Sequence, residues 1–211
     1  MPSSTEVGNF QDLIAQLAAV AITRTTDLLR STQDVAVVQE AYPVVVDPFI
    51  AASGQVSAEW YRSLDPEAEF PVEAAPPPAR ALLQTNVRWA LTQLDPITAL
   101  TGSAERQVFS MSRDTVAANA DRERVRFARY ASANACPWCR VLATRGAVYR
   151  AADLAVKGHD NCHCIAVPER GGNTYTPPDY VAGWLDDYNT ARGEVGGNLD
   201  DIVNYMRRTT K

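Results

Sequence analysis

All four cysteines and both histidines of this 211-residue chain fall between Cys136 and Cys164. The order is Cys136-x-x-Cys139, nineteen intervening residues, then His159-x-x-Cys162-His163-Cys164. A Cys-x-x-Cys turn aims two sulfurs at a point about 2.3 Å from each, which is the bond length of tetrahedral zinc. A second half-site some twenty residues further on is the usual spacing of a structural zinc knuckle. Cys136, Cys139 and His159 are the first three expected ligands, with Cys162 or Cys164 as the fourth. An all-cysteine set that uses both Cys162 and Cys164 and omits His159 is the rival. If residues 162–164 are extended, alternation turns Cys162 and Cys164 to one side and His163 to the other, outside the metal shell.

The same residue types admit other chemistry. Clustered cysteines in an oxidising setting form disulfides. A Cys-x-x-Cys redox motif needs a βαβ setting, and a helical half precedes this one. A Cys/His nucleophile–base pair is available on residue types alone, but a thiolate committed to zinc is not free to attack a peptide bond. No segment holds the eighteen or more consecutive apolar residues of a membrane span. Met1 to Asp12 has no basic stretch leading into an apolar run, so no signal peptide is expected. A reducing cytosol follows as the expected site of synthesis, and there such cysteines bind metal more often than they pair.

Charge is uneven along the chain. The net value is −5, against wholesale nucleic-acid binding, yet residues 105–150 carry nine arginines and four acids. Arg122, Arg124, Arg126 and Arg129 are the candidates within this segment for meeting DNA phosphates or an acidic partner, a solvated helix face being the alternative.

The expected fold is mainly α: a helical N-terminal part, a small α+β Cys/His zinc-binding module, and terminal helices. Helical spacing of apolar residues covers 9–30, then 35–64 as one or two helices with Pro43 at a helix start. Pro66, Pro71, Pro76, Pro77 and Pro78 mark a linker near 65–78. Helices resume over 79–94 and from Pro96 to about Ala120, with Gly102 as an interruption. Val125–Tyr130 alternates apolar residues with arginine and suits a short strand. Val141–Arg145 reads as helical turns, Ala147–Tyr149 and Cys164–Val167 as short strands, and 179–192 and 199–208 as helices. The units are 1–121, 122–170 and 171–211.

The stretch from Ala135 to Tyr149, followed by His159 to Cys164, resembles the phage Mu F-like minor head proteins, and is most similar to the versions in tailed phages of actinobacteria. Asp114 to Ala120 resembles the helix that precedes the family's metal motif, and the similarity extends over most of residues 5–170. The resemblance implies a virion protein acting in head morphogenesis inside the phage head, assembled in the host cytoplasm. It implies contact with the portal protein, the major capsid protein or packaged DNA, and no membrane. It carries over Cys136, Cys139, His159, Cys162 and Cys164 as the family's Cys/His positions. His163 stands where many relatives have another residue. Members are also described as capsid maturation proteases. A protease needs a positioned nucleophile or activated water, a base and an oxyanion stabiliser, and no motif here places such a set.

Overall fold

A computed structural model describes residues 2–67, 69–150, 158, 161–170 and 175–209. Its helices are α1 (Ser4–Ser31), α2 (Val35–Ser63), α3 (Arg80–Ala90), α4 (Pro96–Glu123), α5 (Pro137–Ala143), α6 (Tyr180–Val195) and α7 (Leu199–Thr209). Two strands, β1 (Arg126–Tyr130) and β2 (Ile165–Glu169), pair antiparallel. The architecture is mainly α with the cysteines in the C-terminal part, as the sequence predicts.

The long helices start where side chains can satisfy free N–H groups. Ser3 and Glu6 form a reciprocal capping box on α1, and Asp34 accepts from the N–H groups of Ala36 and Val37 on α2. On α4, Asp95 accepts from the Thr98 N–H, and Pro96 fills the first turn, where a missing N–H costs nothing. Arg124 ends α4 in the left-handed conformation with φ 61°. The buried face of α1 is Val7, Phe10, Ile14, Ala18 and Ala21, a helical stripe that packs on α2 and α4.

Helix α2 departs from expectation. Pro43, predicted at a helix start, lies inside it, as does Pro48. Each lacks the N–H of the helical hydrogen bond and costs about 3 kcal/mol in a helix interior. Tyr42, Val46 and Ile50 are fully buried beside them. At about 1.5–3 kcal/mol for each large apolar side chain buried, packing outweighs the lost bonds. Among the described residues, α2 alone has the length and apolarity to cross a membrane, with mean hydropathy 1.4. Here its inner face is taken up by its neighbours. Ser53 Oγ donates to the Val108 carbonyl at 2.7 Å, and Ser57 Oγ and Ser112 Oγ lie 2.9 Å apart. Small residues at this crossing let the two backbones approach closely, with Gly54 against Met111.

The proline-rich segment joins α2 to α3, but it is not a free linker. Val72 and Ala75 are buried, and the backbone is tied to α4. Asn119 accepts from the Glu73 N–H at 3.1 Å and donates to the Glu73 carbonyl at 2.7 Å, while Thr115 Oγ1 accepts from the Ala75 N–H at 3.0 Å. An extended chain with few N–H groups of its own becomes a strap because α4 offers polar side chains in register. Gly102 is buried within α4 and does not interrupt it.

The β hairpin covers the end of the bundle. Ala128, Tyr130, Ile165 and Val167 join the core formed by α1, α2, α3 and α4, so the apolar interior runs across the expected boundary near residue 121. Ala147–Tyr149 contributes a single bridge, Tyr149 to Phe127, rather than a strand. Helices α6 and α7 pack on α5 around Trp138, Val141, Ala191, Ile202 and Met206.

Candidate metal centre

Short elements bring the cysteines together. Cys136 caps the N-terminus of α5, and Pro137 occupies its first turn, so one helical turn carries Cys139 back beside Cys136. The other half arrives through Asn161, whose φ of 61° turns the chain sharply into residues 162–164. From there the backbone runs straight into β2.

Among the described residues no disulfide joins any of the four cysteines. The sulfurs of Cys136, Cys139 and Cys162 lie within 4.8 Å of one another. Cys139 Sγ is 3.2 Å from Cys162 Sγ and 2.8 Å from Cys164 Sγ, and Cys136 Sγ is 4.0 Å from Cys162 Sγ. Tetrahedral bonds of about 2.3 Å place sulfurs about 3.8 Å apart, and these separations bracket that value. A cavity of about 150 Å³ opens on the sulfurs, lined also by Ser132, Asn134 and Asn161. Three to four soft donors converging on one point can hold a metal ion. His159 lies outside the described residues.

His163 lines the same cavity, and its ring is engaged by α4. Its Nε2 is 2.7 Å from Glu105 Oε1, and its ring stacks on Phe109 at 5.2 Å between centroids. The Glu105 carboxylate raises the imidazole pKa, against the opposing effect of burial.

The electrostatics of the cluster are asymmetric. Hydrogen bonds with Cys136, Cys162 and Cys164, reinforced by burial, push the Cys139 thiol above its ordinary range. Cys162 is also pushed up, first by its hydrogen bond with Cys136. Cys164 is held well below that range by hydrogen bonds from Cys139 and Cys162, with Arg129 and Arg113 adding favourable charge against the cost of burial. Arg129 donates directly to Cys164 Sγ, and Arg113 Nη1 donates to the Cys164 carbonyl at 2.9 Å. Both arginines are buried.

Arg129 is therefore not available to a phosphate or an acidic partner, and its place in the expected basic patch is corrected. Arg122, Arg124 and Arg126 do lie on the exterior, where α4 ends and β1 begins. Arg122 pairs there with Glu73 at 3.2 Å. Strand parity carries the reason: Arg126 and Arg129 are three residues apart and so face opposite sides of β1. Arg129 pairs in register with Ala166, and alternation puts Cys164 on the same side as Ala166.

Several positions around the site escaped the sequence reading. Gln11 of α1 donates its side-chain amide to the His163 carbonyl at 2.5 Å, Glu105 of α4 holds His163, and Arg113 of α4 reaches Cys164. The cysteine-bearing segment is thus fastened to the helical bundle by three side chains. One signal was present for Arg113. It occupies a core position of the stripe Phe109, Arg113, Val116 and Ala120, where an unpaired cation would be costly.

No curated protein and no solved structure matches the chain. The sequence model described as VG15 protein, a phage protein family, matches residues 1–191. A helical bundle capped by a cysteine-bearing module is accordingly the fold of a phage protein, and the chain belongs to the VG15 protein family.

Proposed function

We infer that this chain is a minor capsid protein of the Mu F-like kind, acting in phage head morphogenesis, and that its cysteine centre is a structural zinc site. Family membership supplies the phage setting. The likeness of residues 114–164 to Mu F-like minor head proteins supports the head, and the interior of the capsid beside the portal is the proposed location.

The observation that carries the zinc reading is the convergence of Cys136, Cys139 and Cys162, with Cys164 beside Cys139. The apolar cluster around the sulfurs combines Ala131, Ala143 and Val181 with Trp184, and Trp138 and Tyr180 pack against it. The alanines and the valine each contribute little, at about 0.8 kcal/mol per buried CH₂. Structural zinc supplies about 10–16 kcal/mol of apparent binding energy, enough to fold a segment of this size. Zinc would draw the thiols into thiolate form and cross-link α5 to the strand-leading loop. Gln11, Glu105 and Arg113 would pass that rigidity to the bundle.

On this reading the bundle and the exposed arginines are the docking surfaces. The portal protein, the major capsid protein and packaged DNA are the proposed partners. Co-expression with the portal and major capsid proteins tests it. Recovery of the chain with the portal, bearing one zinc per chain and leaving the capsid protein intact, is the expected result. Processing of the capsid protein that stops in a folded Cys139→Ala variant would instead establish a capsid maturation protease.

A further inference from the structure

We propose that Arg113 and Arg129 are the built-in counter-charges of a four-thiolate centre, and that they select Cys136, Cys139, Cys162 and Cys164 as its ligand set over one containing His159. This deepens the zinc reading above and rests on it.

Both guanidiniums are buried, at 0% and 1% exposure, and arginine retains its charge in proteins. They reach the centre from different elements, α4 and β1, yet converge on one residue. Arg129 donates to the sulfur of Cys164, and Arg113 to its carbonyl. The attractive charges acting on each come from Cys164, Cys162 and Cys139. Asp114 of α4 also feels both arginines, while burial raises its carboxyl pKa and so favours its neutral form.

Neither cation is placed by accident of packing. Arg113 Nη2 donates a second bond, to Ser110 Oγ at 2.8 Å. Gly158 lies against the same guanidinium so closely that an added Cβ would meet Nη2 at 2.5 Å and Cζ at 2.9 Å. Arg113 is thereby confined between its own helix and the loop that leads to Cys162.

A four-thiolate set matches the two arginines. Four thiolates around a divalent ion leave two negative charges, and two arginines carry two positive charges. Replacing one thiolate by a neutral imidazole would remove one of the negative charges facing the two guanidiniums, which is unfavourable in a low-dielectric site. Cys136, Cys139 and Cys162 form the convergent group, and Cys164 adjoins it through Cys139 at 2.8 Å between sulfurs.

The test uses the full-length protein loaded with zinc or with cobalt as its spectroscopic substitute. The wild type is expected to show the visible spectrum of cobalt bound by four thiolates, unchanged in His159→Ala. Chelator competition should show zinc affinity falling about 10–100-fold in Arg113→Met and Arg129→Met. Arg129→Lys, which keeps the charge, should recover part of the loss. A three-sulfur, one-nitrogen spectrum, or its alteration in His159→Ala, would overturn the ligand assignment. Wild-type zinc affinity in a folded Arg129→Met would overturn the counter-charge role while leaving the metal site intact. If either methionine variant does not fold, the wild-type and His159→Ala spectra decide. A wild type that binds no metal under reducing conditions would overturn the zinc reading and this inference together.

Discussion

Asn119 illustrates how single side chains organise this molecule. It is fully buried, and its amide satisfies both the N–H and the carbonyl of Glu73 while also donating to the Thr115 carbonyl at 2.8 Å. Truncation removes the side-chain partners of the part-buried Glu73 N–H and carbonyl, and two such hydrogen bonds together contribute about 1–3 kcal/mol. Asn119→Ala should therefore lower the urea midpoint, with a loss of stability of about 1–3 kcal/mol and an unchanged slope. Gly158→Ala should cost a similar amount, about 1–3 kcal/mol, because Arg113 cannot yield to a new methyl group. The grouping of the four cysteines was legible from spacing alone, and so was the Cys136-x-x-Cys139 turn that brings two sulfurs together. Arg129 was not, because a run of arginines was read as one surface although strand parity divides it. Gln11 and Glu105 sit far from the cysteines in sequence, and only the tertiary fold brings them to residue 163.

The elements follow the sequence where periodicity is strong and depart from it where packing prevails. The α1, α4, α6 and α7 helices and both strands lie near their expected places. Pro43 misled because a proline breaks a helix on local grounds, whereas the buried face of α2 is rewarded through contacts with α1 and α4. The strap over α4 misled for the opposite reason. Proline density signals an extended chain, but it says nothing of the asparagine and threonine, 46 and 40 residues away, that receive it. These assignments bear on metal removal. If the cysteines hold zinc, stripping it with a chelator should abolish amide exchange protection first in α5 and in residues 161–164, which lie outside the bundle core. Helices α1 to α4 share a core of Ile14, Ile50, Leu83, Leu100 and Phe109 and should stay protected. Simultaneous loss in both regions, or no loss in either, would show that the cysteines do not hold the module.

The whole molecule presents an acidic chain with a local basic edge. Arg122, Arg124 and Arg126 are exposed together where α4 hands over to β1. If this edge meets packaged DNA, affinity must fall with added salt, with a slope of about −0.9 per phosphate contacted. The Arg122→Ala, Arg124→Ala, Arg126→Ala triple variant should flatten that slope by up to about 2–3 units at unchanged thermal stability. A wild-type slope in the variant would remove the edge from the DNA interface and leave a protein partner as its counterpart. Arg170 lies close to this edge but is already engaged: it pairs with Glu123 at 2.6 Å and covers the Tyr61 ring at 4.4 Å.

The fastening of the cysteine loop to α1 and α4 bears on how such a gene can be inherited. Gln11 and Arg113 serve groups that the chain supplies only after residue 160, through the carbonyls of His163 and Cys164. A recombination crossover between two relatives within the short turn after α4 would join one parent's buried cation to the other parent's sulfur cage. Unless both parents carried the same partners, the hybrid would bury a charge with no answering group. The two halves are therefore expected to travel together as one inherited block.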